Sequence, residues 1–377
     1  MINSLTRPLT SPLCRAITDA GVGGFYVGSL FAAGEQGAIF DWSDTTTTYQ
    51  DSAGSTAGVV GQVDGLTLDK RLGLVRGAEL VSNGGLDSGT GWTAGTGWTI
   101  AGGVASASGS TADGLRDSQA AYVTGKAYEV QFDKTGTAQV TVYVRGSAAP
   151  FATTASGTSR AILVAGASGT RGVEFYLTGA GSVDNVSVRE VPGSHITQPT
   201  TALKPILQAG YASFDAFDDF MAATTGGGGT TGILLCAGIR ASAAGSARTL
   251  WSDTGTNTGY KLTLSAANAL TLSAGNGTSY TSVTGPTITA GTDYVVQAWH
   301  DGTNLRVRVG LAATTSAAFV TATAGTAGFT IGRDNGAATS LYGDRIYCLA
   351  YRKNDTSTAA QRDSLARWAA SKSNVTL

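Results

Sequence analysis

Asp293-Tyr294-Val295-Val296-Gln297-Ala298-Trp299-His300-Asp301-Gly302-Thr303-Asn304-Leu305-Arg306-Val307-Arg308-Val309 decides the fold of this chain. Tyr294, Val296 and Ala298 recur at every second position, and so do Leu305, Val307 and Val309 after Asp301-Gly302. Successive side chains of a strand point to opposite faces, so this spacing reads as two half-buried strands. Asp-Gly accepts the backbone angles of a tight hairpin, which makes the two strands antiparallel neighbours.

The same texture extends outward. Phe329 and Ile331, then Ile346, Cys348 and Ala350, follow it. Before it stand Ile233, Leu235, Ala237 and Ile239, then Tyr260, Leu262 and Leu264, then Leu270 and Leu272. Asn276-Gly277 marks another turn, and Gly226 to Gly229 a flexible one. An earlier group holds Tyr128, Val130 and Phe132, then Val140, Val142 and Val144, then Val173, Phe175 and Leu177. Each group has the strand spacing of a sandwich or jelly roll. Thr358 and Gln361 have capping-box spacing and predict a C-terminal helix with Leu365, Trp368 and Ala369 on its apolar face. Residues 36 to 75 carry few regular signals beyond a short alternating strand at Gly65 to Lys70.

The expected fold is therefore all-β: two antiparallel β-sandwich (jelly-roll) modules, a short N-terminal anchor segment and a C-terminal helix. Residues 1–24 form the anchor, 25–78 a scaffold segment, 79–192 the first module, and 193–377 the second with its helix. In the anchor, Ser11 caps, Pro12 suits the first helical position, and Leu13, Ala16, Ile17 and Ala20 share one face. So short a helix is marginal alone and needs a surface, either its own chain or an anchoring protein.

Composition removes several functions. The 377 residues include 53 Gly and only 14% charged residues, and 25 basic against 26 acidic groups leave a formal charge of −1. There is no basic stripe for nucleic acid. No run approaches the roughly 18 apolar residues of a membrane span. Thr18 and Asp19, rather than a basic region, precede the apolar stretch Gly21 to Ala33, so no export signal is read. Cys14, Cys236 and Cys348 are far apart, with no CxxC. A Cys236–Cys348 bridge and two separate buried thiols both stay open.

An enzyme is not expected. The five Glu residues, at positions 35, 79, 129, 174 and 190, all precede the second module, which removes the paired glutamates of a sandwich glycanase. Asp218 and Asp219 would face opposite ways on a strand and could not work together, and they read first as turn and surface acids. His195 and His300 are the only histidines, and no GxSxG elbow accompanies them. The glycine-rich runs lack the strand-then-helix setting of a phosphate loop.

Asn83-Gly84-Gly85-Leu86-Asp87 with Trp92, and Val183-Asp184-Asn185-Val186-Ser187-Val188 on the last strand, resemble the two ends of the galactose-binding-like jelly roll of family 4/9 carbohydrate-binding modules. The resemblance implies that these ends pair. It also implies a structural calcium with Asp87 and Asp184 as ligands, set against a turn aspartate and a solvated strand aspartate. Phe214-Asp215-Ala216-Phe217-Asp218-Asp219-Phe220, Gly259-Tyr260-Lys261-Leu262, Trp299-His300-Asp301-Gly302 and Phe329-Thr330-Ile331-Gly332-Arg333 resemble the laminin-G-like branch of the concanavalin A-like fold. Sugars stack on aromatic faces, so Trp92, Trp98, Trp251 and Tyr280 are the candidate carbohydrate contacts, with the core as the alternative place for Trp92 and Trp98, and Trp251 and Tyr280 near turns.

Gly37 to Asp44, Tyr49-Gln50-Asp51, Gly65 to Lys70 and His195 to Thr200 resemble segments of tailed-bacteriophage structural proteins. There the last two elements lie close together, so residues 80 to 190 look spliced into a scaffold. The resemblance implies a virion protein, assembled in the host cytoplasm and exposed on the virion surface as a fibre or minor tail component. It would be homo-oligomeric, attached to other virion proteins through the N-terminal segment, and would bind a host cell-surface glycan. The alternative is a capsid or tail decoration protein acting only through protein–protein contacts.

Overall fold

The computed structural model describes residues 25–32, 36–118, 122–147, 150–166, 172–230, 232–243, 245–335 and 340–377. The anchor residues Leu13, Ala16, Ile17 and Ala20 lie outside them. The described chain is mostly β, in four antiparallel sheets, with one α-helix, Ala359–Ser373. No helix in it is long and apolar enough to cross a membrane.

Two large sheets face each other around one core. The first runs Ile206–Gln208, Tyr211–Asp215, Gly343–Lys353, Ile233–Ala241, Asp293–His300, Asn304–Val309 and Thr315–Ala318. Gly37–Asp41 joins it, paired with the Cys348 to Arg352 half of the long strand. The second has nine strands and begins with Thr48–Tyr49, Leu66–Thr67 and Ile196–Thr197. Strands from before and after residues 79–192 thus lie in the same two sheets. Ile233, Leu235, Ala237 and Ile239 point between the sheets, onto Trp251, Phe329 and Tyr351. Leu234 and Cys236 point the other way, onto the helix. The helix starts at Thr358, whose hydroxyl accepts from Gln361 N while the Gln361 side chain accepts from Thr358 N.

Residues 79–192 make the other two sheets. Phe151–Thr153, Val140–Val144, Val173–Leu177, Leu115–Asp117 and Trp92–Ala94 form one, in that order across it. Gly157–Val164, Ala127–Thr135, Gly181–Val191, Val104–Ala107 and Thr99–Ala101 form the other. They enclose a separate core of Val130, Phe132, Val142, Phe175 and Val188 among others. The two quoted motifs do pair: Val186 N donates to Gly84 O at 2.8 Å, and Leu80 N to Val188 O at 2.9 Å.

A neck joins the two bodies. Asp69 Oδ2 accepts from Ser194 N at 2.8 Å, and Asp69 N donates to His195 Nδ1 at 2.9 Å. Only a neutral ring can accept there, so the proton sits on Nε2, which donates to Val191 O at 2.9 Å. Gly193, at φ 139°, leaves no room for a side chain: a Cβ would stand 2.9 Å from Asp69 Cβ. Tyr49, Leu66 and Leu68 of the scaffold bury themselves against Ala127, Ile162 and Val191. Arg76 crosses to Glu129 at 2.8 Å.

This neck titrates. Burial holds His195 below the ordinary imidazole value of 6.5, outweighing the nearby Asp69 carboxylate. The unfolded chain therefore takes up the proton first. The stability that comes from a neutral His195 is complete above about pH 6.5 and is lost as pH falls toward the folded value. Asp64 works in the opposite sense, because burial lifts it from 3.8 to about 6 and the native state binds its proton first. Taking the difference between wild type and His195→Gln cancels the Asp64 part. From pH 7 to pH 5 the wild type is expected to lose ground to the variant by at most about 1.4 kcal/mol per pH unit, in denaturant melts. A pH-independent difference would show that the ring binds its proton equally well in the folded and unfolded chains, and a gain on the variant toward pH 5 would show a ring already charged in the native state.

Candidate binding face

The outward face of the Trp92–Ala94 sheet is built by the same alternation that fills its core. Val140, Val142 and Val144 point in, so Thr141 and Tyr143 point out. Val173, Phe175 and Leu177 point in, and Glu174 and Tyr176 share the opposite face. The register aligns Thr93, Arg116, Glu174 and Tyr143 in one row across four strands. Tyr176, Thr141 and Ala152 form the next row.

The side chains in these rows hold one another. Tyr176 Oη donates to Glu174 Oε2 at 3.0 Å. Arg116 pairs with Asp113 and stands 3.8 Å from Glu174 Oε2. Tyr176 leans over Gly114, where a Cβ would lie 3.0 Å from its Cζ. The rings of Tyr143 and Tyr176 are 5.8 Å apart at 85° to each other. Burial and Glu174 push the Tyr176 phenol up, against the pull of Arg116. Among the described residues the Tyr143 hydroxyl makes no hydrogen bond. Two half-exposed aromatic rings, a guanidinium and an open carboxylate therefore meet on one sheet face. Rings offer stacking surface, and the polar groups offer directional donors and acceptors.

The candidates read from sequence are placed differently. Trp92 and Trp98 are buried in the module core, and Trp92 Nε1 donates to Asn83 O at 2.8 Å. Trp251 is buried between the large sheets, 4.6 Å from Tyr351 and 5.8 Å from Phe329 between ring centroids. None of the three tryptophans offers a face to a sugar. Glycine-rich flanks did not keep Trp92 and Trp98 outside: both rings pack into the core of residues 79–192. Tyr280 is half-buried; its hydroxyl donates to Gly255 O at 2.7 Å, and Lys261 Nζ lies 5.1 Å over its ring while pairing with Asp334.

Asp87 is exposed, and Asp184 Oδ1 accepts from Asn185 N at 2.6 Å within a strand bulge. Among the described residues, Asp215, Asp218 and Asp219 form an acidic group with oxygens within 4.8 Å of one another. Asp215 ends the strand Tyr211–Asp215, and Asp218 and Asp219 lie in the turn that follows, as the turn reading expects; there Asp215 Oδ1 accepts from Phe217 N at 2.8 Å and Asp219 Oδ2 from Asp215 N at 3.0 Å. Burial, with Asp215 and Asp218 beside it, raises Asp219 to about 7. Cys236 and Cys348 are free buried thiols, and burial pushes Cys236 up to about 12. His300 is buried and accepts from Tyr260 Oη at 2.8 Å, while its Nε2 donates to Phe319 O at 3.0 Å.

No family model matches the chain, and no curated protein does. Solved structures resemble parts of it. The CBM40 of the Ruminococcus gnavus IT-sialidase, bound to alpha2,3 sialyllactose, is 13% identical over 37% of this chain and 82% of its own, with a TM-score of 0.30. A mutant NanB sialidase from Streptococcus pneumoniae is 12% identical over 42% of this chain and 28% of its own, with a TM-score of 0.33. A heptameric SAP-like pentraxin from Limulus polyphemus is 13% identical over 36% of this chain and 71% of its own, with a TM-score of 0.29.

Proposed function

We propose that this chain is a non-catalytic glycan-binding protein whose binding face is the outward sheet face that carries Tyr143, Tyr176 and Arg116, with Asp113 beside Arg116. The observation that carries the reading is the pair of half-exposed rings beside charged groups on an otherwise regular sheet face. The fold leaves the half-exposed Tyr143 hydroxyl to solvent, so it is open to a sugar hydroxyl. Tyr280 supports the reading less, because Lys261 covers its ring and backbone carbonyls take its hydroxyl.

Tyr143→Ala and Arg116→Ala, each with an unchanged melt, are expected to weaken binding on a glycan array about tenfold or more, the scale of a removed aromatic or arginine anchor. The bound glycan is expected to be recovered uncut. Full binding by both variants would move the site elsewhere, and cleavage would make the chain an enzyme. No binding by the wild-type chain would favour a role through protein contacts alone.

The place of action in this reading is the surface of a tailed-phage particle, as a fibre or minor tail component. Its support is the sequence resemblance in the scaffold segments. Removing residues 1–24 is expected to leave both sandwiches folded and to abolish incorporation, measured by copy number in purified particles. Truncated protein at normal copy number would relocate the attachment point.

A further inference from the structure

We infer that the Tyr143–Tyr176 face takes a single neutral sugar unit at the end of a glycan, neither the interior of a chain nor an acidic sugar; this rests on the glycan-binding reading above. The first ground is the angle between the rings. At 85° they make a corner: one ring offers a flat face and the other stands beside it on edge. A chain running across the sheet needs a stacking surface for each successive unit. Here the aromatic positions stop after two strands. The row through Tyr143 ends in Thr93 on one side, and the row through Tyr176 passes Thr141 to Ala152 on the other. Neither direction offers a ring to a second sugar.

The second ground is charge. Asp113 and Glu174 carry two negative charges against one positive charge on Arg116. Arg116 already serves both carboxylates. An acidic sugar would have to draw it away from them and then lie beside both, which like-charge repulsion opposes. A neutral sugar meets no such conflict. Its hydroxyls can donate to Asp113, whose side chain is 47% exposed, and accept from Tyr143. Glu174, only 5% exposed at its side chain, holds Tyr176 and Arg116 in place from beneath.

The test uses the full chain and named probes. Methyl glycosides of glucose, galactose, mannose and N-acetylglucosamine are titrated calorimetrically beside sialic acid and glucuronate. The best neutral sugar is then presented at the non-reducing end of di-, tri- and tetrasaccharides. One neutral methyl glycoside is expected to bind, with affinity within about twofold across the oligosaccharides. Capping that terminal sugar with a further residue should abolish binding. An affinity that climbs about tenfold with chain length, or a preference for sialic acid or glucuronate, would overturn the inference while leaving glycan binding intact. Binding that Tyr143→Ala does not weaken, or no binding by any probe, would overturn the parent reading and this inference together.

Discussion

A chain ended before Thr358 is expected to be insoluble or molten. The helix Ala359–Ser373 buries Leu365, Ala366, Trp368, Ala369 and Ala370. Their partners are Leu234, Cys236, Val295, Trp299, Cys348 and Ala350 on the outer face of the first large sheet, with Val27, Leu30 and Phe31 at the edge. Burying one large apolar side chain contributes about 1.5–3 kcal/mol, so Leu365 and Trp368 alone rival the few kcal/mol by which domains are stable. Polar ties are lost as well: Gln297 Nε2 donates to Arg362 O at 2.7 Å, and Arg308 pairs with Asp363 at 2.7 Å. Arg362 also stands 4.9 Å over the Trp299 ring. The truncated sheet would present a broad apolar face to water, the usual route to aggregation. Solubility, dye binding and thiol reactivity check this, since Cys236 and Cys348 are sealed only while the helix stays in place. A truncated chain that melts cooperatively with both thiols unreactive would contradict it.

Much of this was legible in the sequence, where one face of an element is wet and the other dry. Tyr260–Leu264 alternates between buried and half-buried, as its period-two spacing predicts. The capping-box spacing of Thr358 and Gln361 marked the helix start. Gly37–Asp41 was not legible, because all five of its residues are buried and no alternation shows. Its partner strand lies some three hundred residues later, beyond any local signal. The candidate face was half legible. Reading Val140, Val142 and Val144 as inward already assigns Tyr143 outward, and Tyr176 follows from Val173, Phe175 and Leu177. An aromatic at an outward position of a well-patterned strand was the available signal, whereas attention to tryptophan led to the core.

Trp251→Ala is expected to cost about 3–5 kcal/mol, the range for deleting a large buried aromatic. Trp251 is fully buried and lies near parallel to Phe329, at 27°, with Tyr351 packed against both rings, 4.6 Å from Trp251 and 5.5 Å from Phe329. Phe40, brought in by the scaffold segment, packs on Phe329 at 6.2 Å. The vacated volume therefore lies where residues from both sides of the 79–192 module meet, and three rings would have to shift together to fill it. The consequence should be uneven along the chain. The core of residues 79–192 shares no side chain with the Trp251 cluster. Calorimetry is expected to show the large sandwich melting early while a second transition stays close to its wild-type temperature. If the proposed face binds a glycan, that binding should persist between the two transitions. A single transition, shifted as a whole, would show that the neck at Asp69 and His195 couples the two bodies more tightly than their separate cores suggest, and the module could not then be counted as independently stable.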